Sequence, residues 1–148
     1  MGRRQARESA MQVLYQLEVG KVDVEEAFRY LQDNFAIAAK DLEFARHLVK
    51  GTVENLTALD EIIAGYSHDW QIKRIAVVDR NILRLALYEI MYEDTPYGVS
   101  INEAVEMAKL YGGEKSGKFI NGILSAVSKQ NKPASSQESI GESTQEPG

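Results

Sequence analysis

Residues 75–92 read IAVVDRNILRLALYEIMY, and this stretch decides the fold. Ile75, Val77, Val78, Ile82, Leu83, Leu85, Ala86, Leu87, Ile90 and Met91 leave a helical projection apolar on nearly every side. A helix of that kind belongs in the centre of a core. Asp94, Thr95 and Pro96 stop it, because a proline disfavours helical geometry in the residue before it. Arg84 lies within the apolar run, where a charge needs a partner; Glu103 and Glu106 of the next helix are the candidates.

Downstream, Ser100 to Glu103 spell S-x-x-E, a capping box, with Val99 and Ala104 at the staple positions. That helix is expected to reach about Tyr111, where Gly112 and Gly113 end it. A last helix from about Glu114 places Ile120, Ile123, Leu124 and Val127 on one face. Beyond Lys129 the sequence turns polar, with Ile140 its single large apolar residue, so a disordered tail over 130–148 is expected.

Upstream, Ser67 to Lys73 breaks the helical period and carries the one tryptophan, Trp70, read as a junction between two halves. The pattern Leu48, Leu56, Leu59, Ile62 and Ile63 predicts one helix of roughly seven turns from Asp41 to Tyr66. Gly51, in its middle, predicts either close approach by another helix or a kink. Before it, Asp23 and Glu26 form a carboxylate capping box for a helix whose face is Val24, Phe28, Leu31 and Phe35. The first helix, Gly2 to Val19, aligns Ala6, Ala10, Val13, Leu14 and Leu17, and Gly20 ends it. No alternating strand pattern occurs. The expected fold is all-α: an N-terminal three-helix bundle over 1–66, a C-terminal helical bundle over 67–129, and the tail.

The 148 residues are 44% apolar and 26% charged, as in ordinary globular proteins. No apolar run approaches 18 residues, and no apolar stretch follows the basic start, so neither a membrane span nor a secretory signal is expected; the simplest location is the cytoplasm. The absence of cysteine excludes disulfides, iron–sulfur clusters, zinc fingers and thiol nucleophiles. His47 and His68 read as surface residues, and no metal site or cofactor is implied. Glu25, Glu26, Asp60 and Glu61 read as a solvated face, and no nucleophile–base grouping has support, so the chain reads as a non-enzyme.

A net charge of −5 argues against a surface that binds nucleic acid everywhere. Its distribution is uneven: Arg3, Arg4 and Arg7 all precede Glu8, the first acidic residue. Arg4 and Tyr15 differ by about 20° of helical rotation, so they share a face distinct from the core stripe. That start reads equally as a polyanion contact or as a fraying, solvated end. Residues 112–118, GGEKSGK, match a phosphate-binding loop, but Phe119 replaces the required Ser or Thr and a helix, not a strand, precedes it. What remains is Lys115, Lys118 and Phe119 at the margin of the last helix's buried stripe. Phe119 is either a stacking platform for an unpaired base or the edge of the core.

The opening RRQARESAMQVLYQLE, the central WQIKRIAVVDRNILRLALYEIMY, the box VSINEAVEMAKLYG and the closing KSGKFINGIL resemble, in order and spacing, the NusB family of bacterial transcription antitermination factors. The resemblance spans about Arg3 to Val127. It implies two helical subdomains and a non-enzymatic role: binding the single-stranded boxA element of nascent RNA together with NusE, the small-subunit ribosomal protein, in an antitermination complex with RNA polymerase on ribosomal RNA operons. It maps RNA contacts onto Arg3, Arg4, Arg7, Tyr15, Lys118 and Phe119, and the partner surface onto Asp79 and Arg80. Lys115 stands where other members can carry an acid, which adds phosphate attraction. The physical expectation is that the start of helix one and the KF pair converge on one RNA-facing patch. The rival readings are a protein-binding scaffold or homodimer without RNA, and a helical front like that of some RNA cytosine methyltransferases, for which this chain has no catalytic domain.

Overall fold

The apolar stretch forms α5 (Val77–Tyr92), and every residue from Asp79 to Ile90 is buried. Around it the computed structural model, which describes residues 3–67 and 71–130, arranges α1 (Arg4–Tyr15), α2 (Val24–Asn34), α3 (Ala39–Glu54), α4 (Leu56–Tyr66), α6 (Tyr97–Gly112) and α7 (Glu114–Gln130). Among the described residues the fold is all-α. The helix α1 packs on α3 and α5, while α6 packs between α5 and α7. One core cluster joins Ala10, Phe28 and Leu48 to Leu83, Leu87 and Leu124. Trp70, His68 and the tail from 131 lie outside the described residues. No described helix is long and apolar enough to cross a membrane.

Four local expectations are corrected. The long helix over 41–66 is two helices, broken at Asn55, whose side-chain amide donates to the Gly51 carbonyl at 2.8 Å. An asparagine able to bond the preceding turn competes with helix continuation. Gly51 is still a point of close approach, since a Cβ there would collide with the Tyr88 ring of α5. The first helix continues past Tyr15 as one π turn, Gln16–Gly20, before Lys21 reverses the chain at φ 56°.

The capping box at Ser100 does not cap: α6 begins one turn earlier, after Pro96, and Ser100 donates instead to the Ala86 carbonyl at 3.1 Å. Arg84 pairs not with Glu103 or Glu106 but with Asp60 of α4, at 2.7 and 2.9 Å, and with Glu18 of the π turn. The Asp23–Glu26 capping box forms as expected. His47 is exposed, its Nε2 2.8 Å from Glu93.

Candidate nucleic-acid interface

At the hinge between α6 and α7, Gly113 takes φ 89°, a left-handed geometry that favours glycine. Gly117 lets the two helices close up, because a Cβ there would stand 2.8 Å from Lys109 Cγ. The glycines that mimic a phosphate loop therefore serve a helical hairpin. On the first turns of α7, Lys115 and Lys118 are exposed and Phe119 is half-buried beside the fully buried Ile120.

Lys115, Ser116 and Phe119 line an open groove of about 420 Å³ with Arg74, Ile75, Ala76 and Asp79. Asp79, in the first turn of α5, accepts a hydrogen bond from Ser116 at 3.3 Å. Burial pushes its carboxyl above the ordinary value, and the Ser116 bond opposes that only in part. Arg74 was missed by the sequence reading, although the adjacent cations Lys73 and Arg74 were a visible signal. It sits on a short 3₁₀ turn, Ile72–Arg74.

Arg80 holds that turn. Its guanidinium is buried and donates to the carbonyls of Ile72 (3.0 Å) and Ile75 (2.6 Å), and it pairs with Glu18. Burial alone would raise the Glu18 carboxyl, but hydrogen bonds from Arg80 and Asn81 outweigh it and hold the group below its ordinary value. Arg80 is thus turned inward, its charge paired within the fold.

The arginines at the start of α1 have separate fates. The Arg3 guanidinium is exposed and lies 3.8 Å from the centre of the Phe44 ring. Arg4 pairs with Glu103 of α6, its Nη2 at 3.1 Å, yet its side chain stays 46% exposed. Arg7 is buried and spent on Glu89. None of the three lines the groove of Phe119. Tyr15 stands at the far end of α1, about 16 Å from Arg4 by helical rise. Near it, Gln12 donates to the Tyr111 hydroxyl at 3.3 Å. The expected single patch is therefore resolved into two places: exposed Arg3 and Arg4 at one end of α1, and a groove of Arg74, Lys115 and the Phe119 ring at the α6–α7 hinge, with Lys118 exposed on the same first turns of α7. Among the described residues no group of three His, Asp or Glu could hold a metal ion.

The sequence model of the NusB family matches residues 4–129. The chain belongs to the NusB family. It is 60% identical over 128 residues to the transcription antitermination protein NusB of Pelotomaculum thermopropionicum, covering 86% of this chain and 89% of that protein. Its fold matches that of T. maritima NusB with a TM-score of 0.81 and 39% identity, covering 93% of this chain and 98% of that one. It is also similar to a chain in the crystal structure of the antitermination factors NusB and NusE in complex with dsRNA, with a TM-score of 0.78 and 32% identity, over 86% and 96% of the two chains. The NusB family consists of antitermination factors rather than enzymes, and the buried Arg7 and Arg80 give this member's basic residues a structural share of the work.

Proposed function

We propose that this protein is a transcription antitermination factor that binds boxA of nascent ribosomal RNA together with NusE and carries that assembly to RNA polymerase in the bacterial cytoplasm. The observation that carries the reading is the groove in which the half-buried Phe119 ring lies with Arg74 and Lys115. A ring beside cations stacks an unpaired base while the cations meet the neighbouring phosphates. Lys118, Tyr15, Arg3 and Arg4 extend the contact. Arg7 and Arg80 act from below, fixing the α1 start and the Arg74 turn. Asp79 lies in the floor of the groove, and NusE docks on the α5–α7 half around it.

About five cations on an acidic protein bind a single strand only modestly, since affinity follows the number of phosphates neutralised. NusE then adds contacts and effective concentration. The test is a titration of labelled boxA RNA with and without NusE. Wild type binds, NusE tightens the binding, and Lys118→Ala with Phe119→Ala weakens it; affinity unmoved by that double change overturns the reading.

A further inference from the structure

Four partly exposed rings gather at one place on the surface: Tyr15 of α1, Tyr30 of α2, Phe35 just after α2, and Tyr111 of α6. They line a groove of about 340 Å³ between these elements. Tyr30 and Phe35 meet edge to face with ring centres 6.5 Å apart, and both are more than half exposed, which is unusual for two neighbouring rings with nothing over them. Gln12 of α1 and Gln16, the first residue of the π turn that follows it, add side-chain amides to the lining. Among the described residues, no charged side chain lines this groove.

The groove adjoins the cationic one. Val78 lines the first and Asp79 the second, and Tyr111 immediately precedes the hinge that carries Lys115. The geometry points to a second base-binding subsite: a strand whose phosphates follow Lys115 and Lys118 places one unstacked nucleobase among Tyr15, Tyr30, Phe35 and Tyr111. This rests on the RNA reading above. A base supplies flat faces for the rings and a donor–acceptor edge for the amides, and it brings no charge of its own. An aliphatic side chain from a protein partner would strip water from the amides and tyrosine hydroxyls without replacing their hydrogen bonds, so the base is the better occupant.

The test uses the full chain and a labelled single-stranded boxA RNA in which one abasic nucleotide is walked along the sequence. Tyr30→Ala with Phe35→Ala, neither of which touches the Phe119 groove, is expected to weaken binding about tenfold, as the loss of base stacking does. The salt dependence stays as in wild type. One abasic position weakens binding to wild type but leaves the double variant unaffected; Val53→Ala, an exposed apolar change on α3, alters nothing. Helicity measured by circular dichroism establishes that each variant is folded, and the abasic walk on wild type stands independently of the variants. If the double variant binds RNA like wild type while Lys118→Ala still weakens it, the subsite is refuted and the RNA reading survives. If the double variant loses only NusE, the occupant is a protein side chain and the inference is likewise overturned. If wild type binds no RNA, both fall.

Discussion

Arg7 and Glu89, 82 residues apart in the chain, form a buried two-pronged ion pair, Nε to Oε2 at 2.6 Å and Nη2 to Oε1 at 2.8 Å. The side chains are 11% and 3% exposed. The pair fastens the first turn of α1 to the last turn of α5, and Thr95 adds a third donor to Glu89 at 3.1 Å. Removing one partner strands the other charge in a dry place, which costs roughly 3–5 kcal/mol. Arg7→Met is therefore expected to lower the urea midpoint sharply, whereas Arg7→Met with Glu89→Leu recovers much of the loss. RNA affinity per folded molecule should hold in the double variant, because Arg7 offers no free charge to lose.

Acid should loosen the fold at more than one ion pair. The hydrogen bond from Arg4 holds the Glu103 carboxyl below its ordinary 4.5, and Glu18 and Glu93 are also lowered. A group with a lowered folded-state value stabilises the fold above its ordinary range and loses that contribution as pH falls through the lowered value. Asp79 has the opposite sign: burial raises it, so it favours the fold below its ordinary 3.8 and costs stability above. With three lowered against one raised, the melting temperature should fall as pH drops below about 4.5. Glu103→Gln should show a shallower acid decline in thermal melts across that window.

Glycines at 51 and 122 should respond in opposite directions. Gly51→Ala drives a Cβ into the Tyr88 ring, so overpacking of about 1–3 kcal/mol exceeds the gain in helix propensity. Gly122 lies in the middle of α7 with nothing within 4 Å of the added carbon. Gly122→Ala should therefore stabilise by about 0.5–1 kcal/mol. Paired chemical denaturation curves read both signs.

Salt separates charge from stacking in the proposed RNA contact. Lys115→Gln should reduce the slope of log affinity against log salt by about 0.7, the share of one phosphate on a single strand. Phe119→Ala should leave that slope unchanged and weaken binding at every salt concentration by about 1–3 kcal/mol. Anisotropy titrations between low and moderate salt measure both.

The helices were legible because their signals are local. The apolar wrap of α5, the Asp23 cap and the glycine hinge before α7 each depend on residues within a turn or two. The break at Asn55 was hidden, because the apolar period runs through it and only the side-chain bond to Gly51 competes with the helix. The partner of Arg84 was misassigned for a different reason: an arginine's demand for a carboxylate is visible in the chain, but Asp60, Glu103 and Glu106 satisfy it equally until the helices are packed.

The same limit governs the interface. By itself the sequence determined an all-helical chain, its central helix, the family to which it belongs and the residue types capable of meeting RNA, because periodicity, capping and motif order are properties of neighbours along the chain. Tertiary structure alone decided which cations stay exposed. It turned Arg7 and Arg80 inward against Glu89 and Glu18, left Arg3 and Arg4 at the surface, and brought Arg74 beside Phe119, since ion pairing and burial depend on which distant residues the packed helices bring within a few ångströms.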